Sequence, residues 1–307
     1  MQLRSGMQLG MCEYLEAACE IEYGTINISF DSAHRTYSRL RIAAMPEATL
    51  TVTTDGFTPA GATSEATAAY TLTTDNNGNA FLYGVFAEGA TVSVKQGDIT
   101  LKDYTFSAEK NPNGTEYNKS YALDATPVID GTLGGKTEAT EDDITALVEQ
   151  LKEYVDNGIT TIIVPGSEPA MIDVGSLTIT AIGEAIYRLS KEESYNGKID
   201  LVLPDVTEIV DQEFYGARAL NSINLPKVTT VGDGAFYDCQ YLEELTFGSV
   251  VTAINHKLRA EFYKVGEKVE GCDLVLNREQ VNADADYKPD TENRTWWNTE
   301  WKSITLK

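Results

Sequence analysis

The sequence predicts an α+β, mostly β chain: an amino-terminal β-sandwich, then a short repeat solenoid with a capping helix before it and a strand cap after it. Three observations predict this. Residues 20–125 are rich in Thr, Val, Tyr and Phe and broken by turn dipeptides, as in an all-β domain. Residues 140–157 carry the clearest helical stripe, and the chain beyond residue 159 repeats itself at a spacing of 22. A chain of 307 residues whose composition shifts midway fits two domains better than one.

Charge excludes partners more than it names them. With 47 acidic against 24 basic residues the formal charge is −23, a field that repels nucleic-acid phosphates and anionic lipid surfaces. No stretch reaches the eighteen or more apolar residues of a membrane helix. The segment 1–19 is poorly defined and has neither a basic start nor an apolar core, so no secretory leader is visible in it.

In the first half the runs Thr25–Phe30, Arg39–Ile42, Thr49–Thr53, Ala69–Thr73, Ala80–Phe86, Thr91–Val94 and Thr100–Phe106 predict seven short strands, the number and spacing of a sandwich. Asn77-Gly78 and Asn113-Gly114 are tight-turn dipeptides. Residues 126–139, with Pro127, Gly131, Gly134 and Gly135 and little periodicity, are expected to be a linker. Ile144, Leu147, Val148, Leu151, Tyr154 and Val155 then predict an amphipathic helix. Thr140 is its expected N-cap, Glu141, Asp142 and Asp143 suit its positive end, and Gly158 suits its exit.

The repeat is visible within this chain alone. Leu201-Val202-Leu203-Pro204 is answered by Ile223-Asn224-Leu225-Pro226, and the register holds through Val206 and Val228, Ile209 and Val231, Phe214 and Phe236, Tyr215 and Tyr237, and Leu220 and Leu242. A third copy is expected to use Leu245, Phe247, Val250 and Leu258. Upstream, Ile159–Pro165 has the same strand-then-Pro form, with its Pro 39 residues before Pro204, which implies an insertion in the first coil. A period of 22 lies in the leucine-rich-repeat range, where each unit gives one short strand and one turn around a shared core, so the ends need caps. The expected boundaries are a capping helix over 140–157, repeats over about 159–264 and a terminal cap over 272–307.

Val231-Gly232-Asp233-Gly234-Ala235-Phe236-Tyr237-Asp238-Cys239-Gln240-Tyr241-Leu242 resembles the BspA-type leucine-rich-repeat family, whose units read Ile-Gly-x-x-Ala-Phe-x-x-Cys-x-x-Leu. The preceding copy departs from that pattern with Val210, Glu213 and Ala217. The resemblance covers about 159–277 and implies a secreted, lipid-anchored or otherwise surface-displayed bacterial protein that adheres to host or microbial protein or glycan, through a leader not present in this chain. Tyr37–Ile42 and Phe81–Phe86 resemble the fimbrillin-like domains of bacterial surface lipoproteins and pili. That resemblance implies the alternative of a structural part in a pilus or surface assembly.

No residue pattern demands catalysis, a cofactor or a metal, and a non-enzyme is expected. Gly131–Thr137 is one residue short of a phosphate-binding loop, and three acidic residues follow it. Asp75–Asn79 lacks the invariant Gly and the distal Glu of a calcium loop. His34 and His256 stand in different halves with no nucleophile motif beside them. Cys239 fills a small apolar repeat position, and its pairing with Cys272 is left open. Trp296, Trp297 and Trp301, with Tyr215, Tyr237 and Tyr241, are the candidate partner-binding residues; covering the last coil is the other use of the three indoles.

Overall fold

In the computed structural model of the chain, residues 18–22, 25–29, 38–60, 62, 66–107, 120–255 and 261–307 are described. His34, His256, Leu258 and Asn113-Gly114 lie outside them. The chain divides into two compact units, Met1–Thr126 and Pro127–Lys307.

The first unit is built from β1 (Ala18–Glu22), β2 (Thr25–Ser29), β3 (Ser38–Ala43), β4 (Thr49–Pro59), β5 (Ala66–Thr73), β6 (Asn79–Gln96), β7 (Ile99–Thr105) and β8 (Ser120–Asp124). β1 and β2 pair as a separate antiparallel hairpin. Where two strands are expected at 80–86 and 91–94, β6 runs through both. It pairs β3 with its first half and β7 with its last residues, while β4 follows it on the other side. The strands expected between 39 and 106 are thereby joined, together with β8, which the sequence reading does not contain, in one hydrogen-bonded sheet of order β5-β4-β6-β3-β8, with β7 also on β6. No turn dipeptide separates Phe86 from Thr91; a register shift opposite Gly56 takes up the bend instead. The alternation Leu40, Ile42, Leu50, Val52, Leu82, Val92 and Val94 supplies the buried face, closed by Phe57, Phe106 and Leu123.

The second unit opens with residues expected to be linker, and the structure corrects that expectation. Ile129 is fully buried and its N–H donates to Ile163 O at 2.9 Å, while Ala139 N–H donates to Met171 O at 2.7 Å. Pro127 and Gly131 are buried, and a Cβ on Gly131 would lie 2.5 Å from Val164, whereas Gly134 and Gly135 are exposed turn residues with φ of 74° and 86°. α1 (Glu141–Asp156) follows with a complete capping box: Thr140 Oγ1 accepts from Asp143 N–H and the Asp143 carboxylate accepts from Thr140 N–H. Ile144, Leu147, Leu151 and Tyr154 are its buried stripe.

After β9 (Thr161–Ile163) comes the insertion inferred from the long first spacing. It holds the antiparallel pair β10 (Met171–Asp173) and β11 (Thr178–Thr180), and α2 (Ala181–Leu189) begins directly after it. Arg188 of α2 chelates Glu141 of α1 through two bonds of 2.8 and 3.1 Å and reaches Glu184 at 2.6 Å.

From there each coil alternates a longer and a shorter strand: β12 (Ile199–Val202) and β13 (Glu208–Ile209), β14 (Leu220–Leu225) and β15 (Thr230–Val231), β16 (Glu244–Phe247) and β17 (Ala253–Ile254). β18 (Asp273–Leu276), β19 (Thr295–Trp296), β20 (Thr299–Glu300) and β21 (Ser303–Leu306) complete the unit. The longer strands form a parallel sheet β21-β18-β16-β14-β12-β9 and the shorter ones a parallel sheet β13-β15-β17. Across the first sheet Ile162, Leu201, Ile223, Leu245, Leu274 and Ile304 stand in register, and the first five are buried. The third coil slips by one residue: Ile254 pairs with Val231, and Val251, not the expected Val250, is fully buried.

Coils also touch through backbone. A Cβ on Gly232 would lie 2.4 Å from the Val210 carbonyl carbon and from Asp211 N, so the turn closes against the preceding coil only because this residue has no side chain. Gly232→Ala is expected to destabilise the folded chain by about 1–3 kcal/mol, the usual cost of overpacking. Urea denaturation of the full chain checks this, and an unchanged midpoint for the second unit would show that the coils are not packed this closely.

Candidate interaction surface

The repeat brings paired aromatic residues into two columns. Phe214, Phe236 and Phe262 are buried, with ring centroids 5.7 and 5.8 Å apart along the stack. The residue after each is a half-buried or exposed Tyr. Tyr215 lies 5.2 Å from Tyr237 with planes 8° apart, and Tyr237 lies 5.0 Å from Tyr263, which is 47 % exposed. Alternate amides make this alignment: Phe214 N–H donates to Ala235 O and Gly216 N–H to Tyr237 O, each at 2.8 Å. In the next coil Phe236 N–H donates to Glu261 O at 3.0 Å and Asp238 N–H to Tyr263 O at 2.8 Å. Consecutive side chains therefore point to opposite sides, one ring inward and the next outward.

Tyr187 of α2 stands beside the first coil of this column, its ring edge 3.9 Å from where a Cβ on Gly216 would sit. Cations stand at both ends: Lys191 Nζ is 4.1 Å from the Tyr187 ring centre and Lys264 Nζ is 5.5 Å from that of Tyr263. Tyr263 and Phe262 are missing from the reading of the sequence, which placed Leu258 in the third copy. The usable signal is Glu261-Phe262-Tyr263, an exact echo of Glu213-Phe214-Tyr215 displaced by the longer third coil.

The other candidates separate. Trp296 and Trp301 are 1 % and 2 % exposed, so they are no part of an interaction surface. They end the inner column, 5.7 and 5.2 Å from Phe262, because the last phenylalanine has no further coil to cover it. Trp297 is half-buried, stacked on Tyr287 at 5.2 Å, and its Nε1–H donates to Glu261 Oε2 at 3.0 Å. Tyr241 stands away from the column, with its Cβ against Gly197.

Glu213 explains why one copy departs from the family pattern. Its buried carboxylate accepts from the N–H of Thr180 at 3.1 Å and from the Thr180 hydroxyl, at the N-terminus of α2. A Cβ on Gly183 would lie 2.5 Å from Glu213 Oε1, so the glycine makes room for the charge. Glu213 also lines a cavity of about 230 Å³ together with Val164, Met171, Ile182, Leu203 and Thr207. Burial pushes Glu213 up to about 7, against the pull of the Thr180 hydrogen bonds.

The other motifs are occupied by structure. Asp130 accepts from Thr132 N–H at 2.9 Å and Gly134 N–H at 2.7 Å, and Lys136 is bound to Asp143 at 2.7 Å, so the Gly131–Thr137 loop keeps its donors for its own carboxylates. Asp75 likewise accepts from Asn77 and Asn79 N–H, each at 2.9 Å, in a hairpin turn. Cys239 and Cys272 are buried free thiols; burial pushes both up, Cys239 to about 12, which makes them poor nucleophiles. Among the described residues no group of three or more His, Cys, Asp or Glu could hold a metal ion, and no helix is long and apolar enough to cross a membrane.

Comparison with known proteins returns one family. The family model described as BspA type leucine rich repeat region (6 copies) matches residues 197–265, the stretch from just before β12 to just after Tyr263. No curated protein and no solved structure matches the chain significantly. The match supports the likeness read from Val231–Leu242, and the family it names is in general a non-catalytic interaction repeat.

Glu213 generates a pH prediction. Its folded value, about 7, lies above the unfolded 4.5, so the folded chain holds a proton that the unfolded chain releases. Its contribution to stability is complete below pH 4.5 and is lost as pH rises to about 7, a total on the order of 3 kcal/mol. Glu213→Gln is expected to flatten that decline, checked by urea midpoints of both chains across this range. Parallel curves for the two would remove the buried carboxyl from the account.

Proposed function

We propose that this chain is a non-catalytic recognition protein of the bacterial cell surface, in which a short leucine-rich-repeat solenoid engages a protein partner through the column Tyr187, Tyr215, Tyr237 and Tyr263. The observation that carries this reading is the outer tyrosine column itself, held in register by the coil-to-coil amide ladder. Tyrosine combines a large apolar face with a hydroxyl and has few rotatable bonds, so an aligned column loses little side-chain entropy on binding. The lysines at its ends add attraction toward acidic groups within a chain whose net charge is −23. The family likeness supports surface display or secretion, and the role of the first unit as a fimbrillin-like β-sandwich that carries the repeats outward belongs to the same proposal.

The test is binding of the full chain to a panel of immobilised extracellular matrix and microbial surface proteins. Saturable binding to at least one is expected, weakened about tenfold or more by the pair Tyr237→Ala and Tyr263→Ala while the circular dichroism spectrum stays unchanged. Binding indifferent to both substitutions would move the contact to another face. A folded chain that binds nothing on the panel, yet polymerises, would favour the assembly role.

A further inference from the structure

The carboxy-terminal cap contains a second aromatic feature, on residues the tyrosine column does not use. The β19–β20 hairpin turns through Trp297 and Asn298, whose φ values are 50° and 55°. Two successive residues in the left-handed region make the turn that Asn-Gly or Asp-Gly forms most easily. Here its first place is taken by an indole, a bulky side chain where glycine or asparagine is favoured.

That indole is held rigidly by two contacts already described: the stack on Tyr287, 12° from parallel, and the Nε1–H bond to the buried Glu261. It lines a cleft of about 760 Å³ together with Asp286, Lys288, Asp290, Asn298 and Glu300. Asp290 is occupied by the amides of Glu292 and Asn293, and Glu300 by Arg294 at 3.1 Å. The side chains of Asp286, Lys288 and Asn298 make no hydrogen bond or ion pair among the described residues.

We propose that this cleft binds a neutral sugar unit of a glycan, with the Trp297 indole against the apolar face of a pyranose ring and Asp286 and Asn298 hydrogen-bonded to its hydroxyls. Three kinds of observation combine to select that ligand. A cleft of this volume has ample room for a sugar ring and its neighbours, and a fixed indole offers the C–H-rich face of a pyranose a flat apolar partner. A carboxylate accepts from vicinal hydroxyls, and an amide both donates and accepts. Three carboxylates and one ammonium on the lining select against sialylated, sulfated or uronic sugars. A basic peptide is the rival ligand for an acidic cleft with an indole, and it differs in depending on salt.

Glycan binding here goes beyond the protein-binding role of the tyrosine column, and either can fail without the other. The experiment is calorimetric titration of the full chain with maltohexaose, cellohexaose, laminarihexaose, mannohexaose and chitohexaose, and with hexalysine, at about 0.05 and about 0.5 M NaCl. Saturable binding of at least one neutral hexasaccharide is expected, equal at both salt concentrations. Trp297→Ala should weaken it about tenfold or more. Asp286→Ala, outside the hairpin, should weaken it measurably without touching the turn, and Tyr237→Ala should leave it unchanged. No binding of any neutral hexasaccharide by the folded chain overturns the proposal. So does binding that survives both Trp297→Ala and Asp286→Ala, and so does binding of hexalysine alone that salt abolishes.

Discussion

No coil of the second unit can bury its own apolar side, and every other feature of that unit follows from this. A single strand such as Ile223–Leu225 has one inward-facing row, and the phenylalanine behind it has open space above and below. Stacking answers both at once: Leu201, Ile223, Leu245 and Leu274 cover one another in front, and Phe214, Phe236 and Phe262 do so behind. The ends are the exposed problem. α1 and the insertion that leads to α2 lie at the start, and the buried Trp296 and Trp301 supply at the other end the contact a further phenylalanine would have made.

Departures from the repeat are local answers to the neighbouring coil. Glu213 replaces an alanine where the coil before it has become a helix, and Thr180 at the helix N-terminus gives the buried carboxyl hydrogen bonds that offset part of the cost of its burial. Gly183 then becomes obligatory, since any Cβ there would strike the carboxylate. Glu261 occupies the same place in the third coil and takes its hydrogen bond from Trp297, a residue of the cap. In both cases an acidic residue marks a coil whose neighbour is not an ordinary repeat.

This explains which parts were legible in the sequence. Inward positions of the strands and the helix at 141–156 follow from periodicity, because each residue's environment is set by its own coil or turn. Residues 126–139 read as a linker because the packing partners of Ile129 and Ala139, Ile163 and Met171, are remote in sequence and no local pattern reports them. The third coil was misregistered for a related reason. Its turn is longer, so a fixed spacing selected Val250 and Leu258 and passed over Val251, Phe262 and Tyr263. Composition could not separate the three indoles either, since capping a core and offering a surface require the same residue type and differ only in which way the hairpin turns.

The outer column inherits its order from the inner one. Phe and Tyr are adjacent in sequence, and the amides of Phe214 and Gly216 are tied to the next coil on either side of Tyr215. Fixing the buried ring therefore fixes the outward ring one residue later, and repeating the coil repeats the pair at about the thickness of an aromatic stack. A partner meeting this face finds tyrosines whose positions were settled when the core packed, so little further ordering is left for the moment of binding. Stability and recognition are coupled through that adjacency: a substitution that loosens Phe236 displaces Tyr237 as well, whereas removing the Tyr237 ring leaves the buried stack in place.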